Sequence, residues 1–413
     1  MSWNPPTRPR FVERLIAHGD AVGGAERLVP LDPEALIEEA KHTSGLSDFG
    51  PGDWRSHYDV FLRALESESD LHVVGRLLVR TELLRSLVNR LRLTALWQTR
   101  PDWLGAPIER PVFIVGSPRS GTSILHELMA SDPASRAPAM WEMNHPVEAF
   151  EGARFAQIAD DVIQFWHDLQ PEYETMHANS GHLPNECIFI TAHAFLSDHW
   201  GGNHVVPSYD RHLALTDQTP AYAFHADFLR TLQARGGSRR WLLKAPSHLS
   251  QLAALFAVYP DARILRTHRD PLRTLPSSIN LLGTLKWMRC RHVDMQKATS
   301  ALAAGYAYLY RREIEQRSSG ALPDERFIDV QFADLVRDPV ATVERLYRSL
   351  EWPFSDEVRS RVADYARRKP RGSRGVHRYS LDAVGLDAAQ ERSRYAFYMD
   401  HYRVPHEDGG GTA

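Results

Sequence analysis

The sequence predicts an α/β protein: a parallel sheet of P-loop type flanked by helices, preceded by a helical segment and interrupted by a helical insertion. Three observations carry this. A short continuous apolar run, Val112-Phe113-Ile114-Val115, leads into a glycine-bearing loop and then an apolar helix start, the order strand, loop, helix. Further apolar runs at Trp241–Leu243, Arg263–Thr267 and Arg326–Val330 are each followed by a helical pattern, which is the βα alternation of a parallel sheet. The chain before Arg110 carries helix starts and helical periodicity instead.

Asp32-Pro33-Glu34 is the first clear helix start, an N-cap aspartate followed by proline at the first helical position, with Leu36, Ile37 and Ala40 as an apolar stripe. A second start follows at Asp53. From Leu71 to Trp97, apolar residues at helical intervals (Val74, Leu77, Leu84, Val88, Leu91) alternate with arginines, which predicts an amphipathic helical cap. These elements define an N-terminal helical segment over residues 1–105 and a main domain over 106–405. Within the main domain, about 148–235 is rich in aromatics and histidines, lacks a strand pattern, and is expected to be a helical insertion. The glycine-rich end, 406–413, is expected to be disordered.

At 413 residues and 43% hydrophobic, the chain can bury a sizeable core. Its apolar runs are shorter than a spanning helix, and Met1 to Phe11 holds no apolar signal core, so a cytoplasmic protein without integral membrane association is expected. Cys187 and Cys290 are far apart and cannot build a disulfide framework. His145, His177, His182 and His193 are too irregularly spaced to argue for zinc, so no metal is expected. The net charge is −3, yet eight Lys/Arg crowd into Arg235–Arg273 and eight into Arg359–Arg378. Two cationic poles on a near-neutral chain point to a small polyanion rather than a nucleic acid.

Gly116-Ser117-Pro118-Arg119-Ser120-Gly121-Thr122-Ser123 would aim several backbone N–H groups and a helix N-terminus at one spot, where a phosphate binds readily. A nucleoside triphosphatase needs a lysine after the second glycine. Here Thr122 takes that place, the basic residue has moved to Arg119, and Asp329 has only two apolar residues before it, too few for the strand that would hold Mg²⁺.

The run Pro118 to Ser123 resembles the 5′-phosphosulfate loop of sulfotransferases that use 3′-phosphoadenosine 5′-phosphosulfate (PAPS). Ile264-Leu265-Arg266-Thr267-His268-Arg269-Asp270-Pro271, with Ser277 eight residues after Arg269, resembles that family's 3′-phosphate motif. Lys244-Ala245-Pro246-Ser247-His248 resembles its strand-end lysine–histidine element, and Phe327 to Leu335 with Asp338-Pro339 its late strand and helix. The matches run in family order from about Pro111 to Pro353.

This resemblance implies a bacterial-type sulfotransferase that moves a sulfuryl group from PAPS, its co-substrate, to a hydroxyl of a small, apolar acceptor such as a lipid, sterol or secondary metabolite. It implies that Ser117, Arg119, Ser120, Gly121, Thr122 and Ser123 hold the 5′-phosphosulfate, and that Arg269 and Ser277 grip the 3′-phosphate. Arg119 would face the leaving oxygen and Lys244 the sulfuryl oxygens. For the acceptor's proton His248 ranks first, because an ordinary imidazole titrates near ~6.5; Glu142 and then Glu186 compete with it. The second basic stretch offers Arg371, Arg374 and Arg378 as further nucleotide contacts. Aromatics of the insertion (Phe155, Phe165, Trp166, Tyr173, Phe189, Phe195, Trp200) suit either an acceptor pocket or ordinary core. A nucleotide-dependent phosphotransferase and a non-catalytic protein that binds PAP or another polyanion are the rival readings, and a homodimer is left open.

Overall fold

A computed structural model describes residues 3–148, 152–176, 179–237, 239–368 and 380–407. Five strands, β1 (Val112–Val115), β2 (Ser135–Arg136), β3 (Arg240–Lys244), β4 (Arg263–His268) and β5 (Phe327–Gln331), form one sheet in the order β2-β3-β1-β4-β5. All pairings are parallel, with Phe113 opposite Leu243 on one side and Ile264 on the other. After β1 the chain goes to the far edge of one side with β2, returns with β3 between β2 and β1, and then crosses to the other side for β4 and β5. That reversal opens a crevice beyond the carboxyl ends of the strands.

β1 is apolar throughout because both of its faces are covered. Phe113 and Val115 point into the larger core, while Val112 and Ile114 point into a second core under the helices Thr122–Ala130 and Pro339–Ser349. Leu243 and Leu242 of β3, and Ile264 and Leu265 of β4, divide in the same way. The larger core runs without a break from Leu36 and Phe61 of the N-terminal helices, through the sheet, to Tyr398 of the helix Ala388–Tyr402.

The helix Pro33–Ser44 starts as expected: Asp32 Oδ1 accepts the Ala35 N–H at 2.7 Å, with Pro33 in the first helical position. Asp53 precedes the helix Trp54–Glu68 but makes no side-chain cap bond. The helix Val73–Thr99 departs from the amphipathic expectation. It is buried around most of its circumference, and its charges are paired inside: Arg76 with Glu66 and the Val29 carbonyl, Arg90 with the Pro51 carbonyl, and Glu82 with Arg289. Arginines at helical intervals imitate a solvated face when their partners lie far away in sequence.

The insertion holds six α-helices between Gly152 and Gly236, and no strand among its described residues. Trp200 and Phe195 stack with ring centroids 5.9 Å apart and are fully buried, so these two aromatics are core. At the far end, residues 406 and 407 are described and Glu407 is hydrogen-bonded, while 408–413 lie outside the described residues. Arg371, Arg374, Arg378 and His177 also lie outside them.

Candidate active site

The chain after β1 folds into a tight loop. Arg119 (φ 69°) and Gly121 (φ 95°) take the left-handed conformation, which turns successive amides toward one side. A Cβ on Gly116 would lie 2.1 Å from Thr267 Oγ1, and one on Gly121 would lie 2.7 Å from the Phe332 ring, so neither position has room for a side chain. Ser120 is fully buried: its hydroxyl donates to the Ser117 carbonyl at 2.6 Å and lies 2.7 Å from Thr267 Oγ1. Its side chain therefore staples the loop to β4. Ser117 is buried beside Tyr310, and Thr122 and Ser123 open the helix Thr122–Ala130, whose first N–H groups have no intrahelical acceptor.

The end of β4 brings the second cation. Arg269 Nη1 donates to the Arg119 carbonyl at 2.9 Å, and its guanidinium lies 3.9 Å from the centre of the Phe332 ring. Asp270 caps the helix Pro271–Trp287 by accepting the Leu272 N–H at 3.0 Å, and Ser277 on that helix accepts from Arg119 Nε at 3.1 Å. A second Arg119 nitrogen, Nη1, donates to the Met176 carbonyl at 2.8 Å. Arg119 thus forms one cluster with Arg269 and Ser277, which lie 150 and 158 residues further along the sequence.

Lys244, the last residue of β3, is 2% exposed; its ammonium lies 2.8 Å from Glu186 Oε1 and 3.3 Å from Ser123 Oγ. Glu186 is held there because the following N–H, of Cys187, donates to the Lys244 carbonyl at 2.8 Å and extends the edge of β3. Lysine, loop helix and carboxylate therefore meet at one point.

The other two proton acceptors read from the sequence are placed differently. His248 is buried, with Nδ1 2.6 Å from the Tyr222 hydroxyl, Nε2 without a polar partner, and its ring edge-on to Phe113 at 5.1 Å. Burial, with His225 and Lys244 adding to it, holds this imidazole neutral well below its ordinary pKa. Glu142 accepts from Arg136 Nη2 at 3.1 Å and from the Ala139 N–H at 2.9 Å, which makes it both a salt-bridge partner and the cap of the helix Met140–Asn144. Asp329 is engaged by His268 at 2.8 Å and bidentately by Arg317, and so is not directed to the loop as a metal ligand. Among the described residues no cluster of histidines, cysteines and carboxylates could hold a metal ion.

Two residues of this region have no local sequence signal. Tyr222 reaches His248 from the insertion, and Glu407 reaches Arg269 from the chain end. Only the fold brings either pair together.

A model of the sulfotransferase family matches residues 111–356, which contain all of the site positions described above except Glu407. The chain belongs to the sulfotransferase family. It is an enzyme of the sulfotransferase type, and its relatives agree. Over 272 residues it is 27% identical to omega-hydroxy-beta-dihydromenaquinone-9 sulfotransferases of Mycobacterium tuberculosis and Mycobacterium bovis, covering 62% of this chain and 67% of theirs. Its structure is similar to that of sulfotransferase STF1 from Mycobacterium tuberculosis, with a TM-score of 0.77 and 29% identity, over 89% of this chain and 99% of that one. Sulfotransferase STF9 from Mycobacterium avium gives a TM-score of 0.81 at 25% identity, over 91% and 97% of the two chains. No helix among the described residues is long and apolar enough to cross a membrane.

Proposed function

We propose that this sulfotransferase takes its sulfuryl group from PAPS and delivers it to a hydroxyl of a small apolar acceptor. The observation that carries the donor reading is the convergence of Arg119, Ser277 and Arg269 beside a left-handed glycine loop and a helix N-terminus. A nucleotide with phosphate at both its 3′ and 5′ positions suits two adjacent anion sites, and a nucleoside triphosphate needs only one. The residues fit such a ligand: Gly116 and Gly121 have no room for a side chain, and the Arg269 fork already holds a carboxylate. The acceptor class rests on the relatives, whose name describes a hydroxylated menaquinone. A cytoplasmic setting suits the two free, buried cysteines.

When bound, PAPS supplies an activated sulfuryl group with a phosphate leaving group. The loop amides, Thr122 and Ser123 hold the 5′ end, and Arg269 with Ser277 holds the 3′-phosphate. Arg119 stabilises charge on the leaving oxygen, and Lys244, whose ammonium is fixed against Ser123, neutralises the sulfuryl oxygens. Glu186 accepts the acceptor's proton. Its carboxylate is the one in contact with Lys244, whereas His248 is enclosed and Glu142 serves its own helix.

The test is turnover with PAPS against a panel of hydroxylated quinols, terpenoids and phenols, followed as PAP released and sulfated product by mass spectrometry. Product with PAPS but not with ATP and Mg²⁺ is expected. ATP-dependent modification, or none with any acceptor, would defeat the reading.

A further inference from the structure

The helix Ala388–Tyr402 is fixed over the ends of β4 and β5. Arg392 Nη1 lies 3.0 Å from both oxygens of the fully buried Asp270, Tyr402 stacks on His268 at 4.0 Å, and Gln331 donates to the Tyr402 carbonyl at 2.8 Å. Arg403 then turns left-handed (φ 52°), and the Val404 N–H donates back to the Met399 carbonyl at 2.9 Å, reversing the chain with Val404 buried. Three residues later the Glu407 N–H donates to Asp270 Oδ2 at 3.0 Å. That bond sets the Glu407 carboxylate squarely on the Arg269 fork: Nε to Oε1 at 2.8 Å and Nη2 to Oε2 at 3.0 Å.

A carboxylate and a phosphate oxygen pair present the same two acceptors to a guanidinium. Arg269 Nη1 donates to the Arg119 carbonyl and its face lies on Phe332, so the edge that carries Nε and Nη2 is taken up by Glu407 while that residue is in place. A phosphate cannot occupy the same two N–H groups, and placing it beside the carboxylate would set like charges against each other. We propose that Glu407 is a built-in competitor for the donor's 3′-phosphate. Its carboxylate closes the Arg269 fork in the nucleotide-free enzyme, the 3′-phosphate displaces it with help from Ser277, and its return favours departure of the spent nucleotide. Donor affinity is then lowered by the fraction of molecules whose fork is open. The inference rests on Arg269 being the 3′-phosphate arginine.

The experiment measures calorimetric affinities for PAP and for AMP, which lacks the 3′-phosphate, in the full chain, in Glu407→Gln, in Arg269→Ala and in the double variant. Glu407→Gln is expected to tighten PAP by on the order of tenfold and leave AMP unchanged, with the gain absent once Arg269 is removed. Unchanged or weakened PAP binding in Glu407→Gln, or equal tightening of PAP and AMP, would overturn the competitor. If Arg269→Ala leaves the PAP-to-AMP preference intact, it is the underlying 3′-phosphate assignment that fails; the two failures are distinct.

Discussion

At the scale of single residues, three carboxylates and one imidazole that look alike in sequence are separated by what surrounds them. Glu186 touches the Lys244 ammonium, Glu142 caps a short helix, Asp329 is held by His268 and Arg317, and His248 is walled in by Phe113 and Tyr222. Glu186→Gln is expected to lower kcat by roughly 10²- to 10⁴-fold while PAP binding survives. Glu142→Gln is expected to lower the unfolding temperature by the loss of about 1 kcal/mol of capping, with kcat within a few fold. Equal kcat values for the two variants would remove Glu186 from the proton step. Arg119, Lys244, Arg269 and Ser277 were legible as candidates through the resemblance of their motifs to those of sulfotransferases, and the fold brings Arg119, Arg269 and Ser277 into one cluster. The ranking of the bases read from the sequence, His248 before Glu142 and Glu186, is the reverse of the one proposed from the structure, because burial of an imidazole and engagement of a carboxylate are properties of distant neighbours such as Tyr222 and Arg136.

At the scale of elements, β1, its loop and its helix were readable because each obeys a local rule: an apolar run covered on both faces, glycines where no Cβ fits, and donors left open at a helix start. Gly116→Ala tests this unit. Its new methyl would meet Thr267 Oγ1, itself tied to Ser120, and the variant is expected to lose about 1–3 kcal/mol of stability together with PAP affinity. An alanine variant with the stability and nucleotide affinity of the parent would show that the loop is not packed as described. β2, only Ser135 and Arg136, has too few residues to show a period and was not legible. The helix Val73–Thr99 was located within two residues at each end, but its arginines imitated a wet face; their partners, Glu66 and the Val29 and Pro51 carbonyls, are set by tertiary packing.

At the scale of the whole molecule, the fold encloses many histidines in neutral form. Burial pushes His72, His126, His193, His204 and His225 from 6.5 down to about 3. Between those two values the unfolded chain binds protons that the folded protein refuses, so stability present at neutral pH is lost as the pH falls through about 6.5. The loss between pH 6.5 and 5 is expected to be on the order of several kcal/mol, read as a falling unfolding temperature. A flat profile over that range would contradict the burial of neutral imidazoles. A parallel sheet of βα units was legible from the alternation of apolar runs and helical patterns, whereas the order of its strands was not, and neither was the return of the chain end onto Arg269, since Glu407 lies in a terminal stretch with no periodic pattern. The central claim, a site built for a 3′,5′-bisphosphate nucleotide, is tested most directly by unfolding the protein with PAP, with ADP, and with ATP and Mg²⁺ at matched concentrations. Selective stabilisation by PAP, about 2.7 kcal/mol at a hundredfold excess over its dissociation constant, is the predicted result, and a preference for ATP with Mg²⁺ or no nucleotide effect would contradict it.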